Sequence, residues 1–314
     1  MEIDPLIAPF LQGNKTLILD GGLATELEDR GFDLDHDLWS AKILIENPDA
    51  IKQLHLDYLY AGADCIITAT YQATIQGLKN FGLSHEESIK LMQKAVDLAI
   101  QSRNEFWEVK ENRKHRIKPL VAASVGPYGA YLADGSEYSG QYGLTVGELI
   151  DFHTERWDIL AKSGADFLLC ETTPSIIEAR AYAKLLNDSS RVKAAISFSC
   201  LTEDSICDET KIKDFELHEF DYANFISLGI NCTSPKYMPS LIQELQKLSQ
   251  KPVMVYPNSG EEWDEHHHCW TGVSHPEEFG TAVREWRRIG AALIGGCCRT
   301  GPKHIQAISS RLRK

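Results

Sequence analysis

Eight short apolar runs, separated by segments of helical periodicity, constrain the fold of this 314-residue chain more than any other feature. They fall at 16–22, 65–71, 120–126, 166–172, 194–200, 225–232, 253–257 and 291–297. Most are rich in Ile, Val, Leu or Ala without clean alternation, the pattern of strands buried on both faces. Helical openings stand between them. Asn47-Pro48 pairs a cap with a first-turn proline, while Ser84-His85-Glu86-Glu87 and Thr145-Val146-Gly147-Glu148 read as capping boxes. Three joints share one phrase: Ala61-Gly62-Ala63-Asp64, Ser163-Gly164-Ala165-Asp166 and Ile289-Gly290-Ala291-Ala292. The glycine ends a helix in the left-handed region and the next apolar run begins. Eight strands alternating with helices predict an α/β fold, a (β/α)8 TIM barrel, more readily than an open sheet. No Gly/Ser/Pro linker or shift of composition cuts the chain, so residues 1–314 read as one domain.

Composition enters where it excludes function classes. Hydrophobic content of 43% and charged content of 25% are those of a globular protein. A net charge of −13 argues against a nucleic-acid partner, which needs a basic face. No apolar run reaches the length of a membrane span, and Met1-Glu2-Ile3-Asp4 lacks the basic start of a signal peptide, so a cytoplasmic location is expected. In a reducing compartment the eight cysteines point to metal binding or catalysis before disulfides. Cys65, Cys170 and Cys200 sit inside apolar runs and read as core thiols.

The remaining thiols that matter are Cys232, in Leu228-Gly229-Ile230-Asn231-Cys232, and the pair Cys297-Cys298, in Ile294-Gly295-Gly296-Cys297-Cys298-Arg299. Each set follows an apolar run. In a barrel, active sites lie at the carboxyl ends of strands, so the ends of the sixth and eighth runs would meet at one mouth. Three thiolates on a tetrahedral zinc leave one position open, the arrangement of a catalytic site. Gly295 and Gly296 would let the backbone bend so that neighbouring thiols face one ion. Other run ends carry polar groups: Asp20-Gly21-Gly22, Thr68-Ala69-Thr70-Tyr71-Gln72, and Glu171-Thr172-Thr173. Asp20 and Glu171 could share an ammonium group, since buried carboxylates need a cation or donors. Two long loops, 126–142 and 257–272, mix aromatics with acids and suit a lid over a cationic ligand. His266-His267-His268-Cys269 lies in the second and reads as a solvated loop, because three consecutive imidazoles cannot all face one ion without strain.

From Asp20-Gly21-Gly22-Leu23-Ala24-Thr25-Glu26-Leu27 to Gly295-Gly296-Cys297-Cys298-Arg299-Thr300 the chain resembles the zinc-dependent homocysteine S-methyltransferase family. The resemblance implies one zinc ion on Cys232, Cys297 and Cys298. It implies homocysteine contacts from Asp20 and Glu171 to the amino group, with Thr68 lining the pocket and Gly21 and Asn231 in the same motifs. Val125 to Tyr138 and Tyr256-Pro257-Asn258-Ser259-Gly260-Glu261 look like the branch that uses S-methylmethionine. Gln72 stands where the betaine branch carries tyrosine. Trp39 resembles a family tryptophan near the methyl donor, and Gln72, Tyr128, Asp134 and Asn258 join it as donor or lid positions.

The implied reaction moves methyl from a sulfonium to the zinc-bound thiolate of homocysteine, giving methionine. A free thiol of pKa near ~8.5 is mostly protonated at neutral pH, and coordination removes that proton. S-methylmethionine leads as donor. S-adenosylmethionine offers the same sulfonium, and betaine as donor or selenocysteine as acceptor are the alternatives within the family. A zinc-storing or thiol redox-sensing protein is the reading from another class, although adjacent cysteines form a strained ring and a poor redox pair.

Overall fold

The computed structural model of the protein describes residues 3–13, 15–33, 40–189, 191–215, 225–264, 269–271 and 275–313. Its strands are β1 (Leu17–Ile18), β2 (Cys65–Ile67), β3 (Leu120–Val125), β4 (Phe167–Thr173), β5 (Ala194–Phe198), β6 (Phe225–Asn231) and β7 (Val253–Tyr256). They are followed by β8 (Glu262–Asp264), β9 (Cys269–Thr271) and β10 (Ala291–Ile294). All but β8 and β9 pair in parallel in the order β1-β10-β7-β6-β5-β4-β3-β2. The parallel pair Leu19–Cys65 brings β1 onto β2 and closes the circle. Every one of the eight apolar runs therefore supplies a strand of a (β/α)8 barrel.

Two of the three repeated joints have a further job. In each, the aspartate clamps the first residues of the preceding strand. The Asp64 N–H donates to Ile18 O at 2.6 Å and its Oδ2 accepts the Ile18 N–H at 3.1 Å. Asp166 repeats this on Val121, at 2.8 Å and 2.7 Å. The glycine two positions earlier takes φ 117° at Gly62 and 88° at Gly164, where a side chain would be strained. In the third joint Ala292 replaces the aspartate and the clamp is missing.

Helix starts follow the expected chemistry with one exception. Ser84 and Thr145 each complete a capping box, with Glu87 and Glu148, opening helices His85–Glu108 and Val146–Ala161. Asn47 makes no side-chain cap bond, so Pro48 alone marks the start of Pro48–Ala61. The loop after β3 is also more ordered than a plain lid: it holds a short helix, Tyr128–Leu132, and a 3-10 turn, Ser136–Tyr138. The second long loop contains the antiparallel hairpin of β8 and β9, with Trp263 opposite Trp270. Cys269 begins β9, whereas His266, His267 and His268 lie outside the described residues.

The barrel interior is a packed core. Leu17, Leu19, Cys65, Leu120, Ala122, Phe167, Leu169, Ala195, Ile226, Met254 and Leu293 point inward, with Ile7 and Phe10 in the same cluster. The alternate residues, among them Ile18, Ile66, Val121, Leu168, Cys170 and Ile196, join the larger cluster between sheet and helices. Alternation within runs that look uniformly apolar reflects burial on both faces. Cys65, Cys170 and Cys200 are buried free thiols. No helix among the described residues is long and apolar enough to cross a membrane.

Asp64 also bonds Arg313 at 2.6 Å and pairs with Arg116 at 3.5 Å, tying the last helix to the start of β2. Asp64→Asn keeps the shape but leaves two guanidinium groups short of a counter-charge. With Arg313 partly exposed, the expected loss is about 2 kcal/mol, read as a lower urea midpoint at unchanged slope. A midpoint equal to the parent's would mean that the clamp needs only the hydrogen bond.

Candidate active site

The strands end at one rim, and the residues just past them build a cleft. Cys232 is the first residue after β6, and its N–H donates to Tyr256 O at 3.3 Å. Sequence reading carries the eighth strand through Cys297, but β10 stops at Ile294. Beyond it the backbone is laced alternately to both neighbours. The Gly295 N–H donates to Val255 O at 3.0 Å, Gly296 to Asp20 O at 3.0 Å and Cys297 to Pro257 O at 2.8 Å. The glycines serve close approach here. Neither takes positive φ, whereas a Cβ on Gly295 would fall 2.6 Å from Leu19 Cβ and one on Gly296 2.2 Å from Thr300 Oγ1.

This lacing brings the three sulfurs together. The Sγ atoms of Cys232, Cys297 and Cys298 all lie within 4.8 Å of one another, and Cys232 and Cys298 are 3.6 Å apart. A tetrahedral zinc with bonds of about 2.3 Å separates its sulfurs by roughly 3.8 Å, so the donor set fits that ion in number, chemistry and spacing. Hydrogen bonds among the thiols pull in both directions, and burial with mutual repulsion leaves all three well above the ordinary thiol range. A divalent cation among them reverses that balance. Two groups brace the sulfurs: the Tyr138 hydroxyl lies 3.3 Å from Cys232 Sγ, and Asn231 Nδ2 lies 3.9 Å from Cys297 Sγ.

Asn231 is fully buried and does more than touch sulfur. Its Oδ1 accepts from the Thr172 N–H at 2.8 Å and Ser197 Oγ at 2.7 Å, and its Nδ2 donates to Thr172 Oγ1 at 2.8 Å. Thr172 needs this clamp, because a β-branched residue at φ 58° is strained. Cys232 at φ 48° and Arg299 at φ 61° are left-handed too, so backbone strain gathers at the rim. Arg299 is held by Asp29 at 2.7 Å and Glu261 at 3.1 Å.

Two buried carboxylates were expected at the site; Glu171 lines the cleft with the sulfurs, whereas Asp20 is not in its lining, although its neighbours Gly21 and Ile67 are. Asp20, 2% exposed, accepts the Ile67 N–H at 2.8 Å through Oδ2, and its buried Oδ1 has no hydrogen-bond partner among the described residues. Burial, reinforced by the nearby Glu171 charge, pushes its carboxyl well above the usual range. Glu171 accepts from the Ser124 hydroxyl and, at 3.3 Å, from the Tyr256 hydroxyl. Burial lifts Glu171 to about 7 against the pull of those donors. Thr68, 3% exposed, lines the same space, with its Oγ1 accepting the Ser124 N–H at 3.1 Å and lying 2.7 Å from Thr70 Oγ1.

The cleft spans about 830 Å³, the open solvent at its mouth included. Its lining includes Gly21, Thr68, Gln72, Glu171 and the three cysteines, and it contains no Lys, Arg or His among the described residues. Such a wall favours cations. Gln72 donates to Ala130 O at 3.2 Å, and its Oε1 has no partner among the described residues. Asn258 is half-buried beside the rim, its N–H bonded to Thr233 O at 3.1 Å and its Oδ1 without a partner among the described residues. Tyr128 and Asp134 stand apart from the lining. Tyr128 packs in an aromatic group with Tyr131, Tyr142 and Phe152, and exposed Asp134 caps the turn at Ser136. Trp39 lies outside the described residues.

Sequence reading assigned no role to Tyr71, Glu137, Tyr138 or Tyr256, all of which line the cleft. It also passed over His153. That residue joins a buried relay in which Glu178 accepts the Tyr128 N–H at 2.6 Å and His153 Nε2–H at 2.8 Å. His153 Nδ1 accepts from Arg156 at 2.7 Å, since a guanidinium can only donate. Arg156 in turn donates to Gly126 O at 2.5 Å and Tyr71 O at 3.4 Å. The relay fixes the base of the loop that carries Glu137 and Tyr138. The capping-box helix Val146–Ala161 and the first turn of the helix Ile176–Asn187 bring its members together, and neither signals the contact in one dimension.

Comparison with known proteins agrees with this geometry. A family model described as homocysteine S-methyltransferase matches residues 17–312. Homocysteine S-methyltransferase YbgG of Bacillus subtilis (strain 168) is 49% identical over 297 residues, covering 95% of this chain and 94% of its own. Selenocysteine Se-methyltransferase of Brassica oleracea var. italica is 45% identical over 306 residues, covering 94% of this chain and 88% of its own. The crystal structure of the homocysteine methyltransferase MmuM from Escherichia coli, in its metallated form, superposes with a TM-score of 0.86 at 40% identity, covering 98% of this chain and 99% of that one. The chain belongs to the homocysteine S-methyltransferase family.

Proposed function

We propose that this protein transfers a methyl group from a sulfonium donor, S-methylmethionine first, to the sulfur of homocysteine, giving methionine, with zinc on Cys232, Cys297 and Cys298. The observation that carries this reading is the convergence of three sulfurs in a cleft that buried Glu171 also lines and that no basic side chain lines among the described residues. Zinc held there supplies the Lewis acidity that keeps an incoming thiol deprotonated near neutral pH. The three cysteinates overcompensate a divalent cation by one charge, which keeps the sulfur centre electron-rich.

The chain's own groups do the rest. The free Oδ1 of Asp20 and the carboxylate of Glu171 take up the homocysteine ammonium. Asn231 and Tyr138 hold the cysteine sulfurs in orientation. Thiolate and sulfonium cancel each other's charge as methyl passes, so the step gains from a dry site, and the rings of Tyr71 and Tyr138 in the lining exclude water. S-adenosylmethionine presents the same sulfonium and betaine a quaternary ammonium; both belong in a donor panel. Selenocysteine is a second acceptor reading, supported by the Brassica relative; its ammonium can use the same carboxylates.

Cys298→Ser is expected to lose bound zinc and methyl transfer together while keeping its far-ultraviolet circular dichroism. Full methionine formation by metal-depleted wild-type protein would reject the metal's role. Asp20→Asn is expected to raise the homocysteine KM by about tenfold or more, the scale of a lost buried charged contact, with zinc content kept. An unmoved KM takes Asp20 out of ammonium binding.

Ammonium binding needs Glu171 ionised, and its pKa of about 7 sets the direction of pH dependence. Below that value the carboxyl must lose a proton before it can pair, so the homocysteine KM should fall as pH rises from 6 to 8, by roughly tenfold for one full unit below the pKa. The ratio of wild-type KM to that of Glu171→Gln isolates this from thiol ionisation. A ratio flat with pH would contradict the assignment.

A further inference from the structure

Besides Glu171, the cleft lining carries a second carboxylate that neither the sulfur centre nor the acceptor's ammonium group uses. Glu137 lines the cleft and is only 7% exposed. Its Oε2 is buried with no hydrogen-bond partner among the described residues, and burial raises its carboxyl above the usual range. The backbone that carries it is fixed: Glu137 O accepts from Ser199 Oγ at 3.4 Å, and a Cβ on Gly129 would fall 2.3 Å from Glu137 N. The next residue, Tyr138, touches Cys232 Sγ, so Glu137 sits on the same wall as the reacting sulfur. A buried carboxylate without a partner costs free energy until a cation meets it. No Lys, Arg or His among the described lining residues can be that cation. A ligand must bring it.

We propose that Glu137 binds the α-ammonium group of the methyl donor and thereby selects sulfonium amino acids over onium donors that lack an amino group. This deepens the proposed methyl transfer and rests on it. The donor has two positive centres, and their chemistry decides between them. As methyl passes, the carbon–sulfur bond to the donor breaks with its electron pair left on the donor sulfur, and a new bond forms to the acceptor thiolate. The sulfonium charge disappears in that step. A carboxylate against the sulfonium would stabilise the ground state more than the transition state and slow the reaction. The ammonium charge is unaltered throughout, so a carboxylate there holds the donor without that penalty. The sulfonium is left to the aromatic faces of Tyr71 and Tyr138, which attract cations without neutralising them.

The test is a two-by-two comparison on zinc-loaded full-length protein. Its arms are wild type and Glu137→Gln, each with S-methylmethionine and with its deamino analogue, in which hydrogen replaces the ammonium. Affinity is read as KM where methyl transfer occurs and as a competitive inhibition constant where it does not. Wild type is expected to favour S-methylmethionine over the analogue by about tenfold or more, the scale of a charge-assisted contact. In Glu137→Gln the two ligands should differ by no more than about threefold, with kcat for S-methylmethionine less affected than KM. A variant that keeps the wild-type preference overturns the proposal. So does a wild-type protein that binds the two equally, a result that needs no variant to fold. If wild type makes no methionine from homocysteine with any sulfonium, the proposed function itself fails. Methyl transfer with an undiminished preference in the variant removes the Glu137 assignment alone.

Discussion

Closure of the backbone hydrogen-bond circle is the constraint on which the rest of this structure depends. Asp64 clamps Ile18, and Leu19 pairs with Cys65, so the first strand meets the second while also lying against the last. Once the circle is closed, the ends of β6 and β10 must share a rim with those of β1 and β4. The segment Gly295–Cys297 is then laced between β7 on one side and β1 on the other. Only glycine tolerates that approach at 295 and 296. The sulfur centre is a consequence of how the barrel shuts.

The chemistry of the cleft follows from what surrounds the sulfurs. Asp20, Glu171 and Glu137 are three buried carboxyl groups, with no basic residue among the described lining. Burial raises all three above the usual carboxyl range, and that shift expresses the cost of desolvating their charge. A fold tolerates such groups when ligands repay the desolvation. Strain at Thr172, Cys232 and Arg299 belongs to the same economy: the Asn231 clamp and the Arg299 ion pairs hold conformations that these residues would not choose in isolation.

Much of the architecture was legible in one dimension because its causes are local. Apolar runs of strand length, glycine at helix ends and two capping boxes each act over a few residues, and they placed all eight barrel strands and the starts of two long helices. Asn47 misled because the identity of a cap residue does not ensure its rotamer. The β8–β9 hairpin was hidden in a loop whose pairing depends on the chain folding back on itself. Tyr138 and Glu137 stood in a loop of mixed composition, and nothing in that composition says which way a loop side chain will face.

The amino-acid sequence by itself determined the alternation of strands and helices, the three thiols at run ends and the acidic residues near them, since these rest on residue type and short-range spacing. Tertiary structure alone decided that sulfurs just past β6 and past β10 lie within one ion's reach, that Asp20 and Glu137 keep oxygens without a hydrogen-bond partner among the described residues, and that a relay from Glu178 to Arg156 braces the loop that carries Glu137. Distances between residues far apart in the chain are set by how the barrel closes and packs. No local preference encodes them.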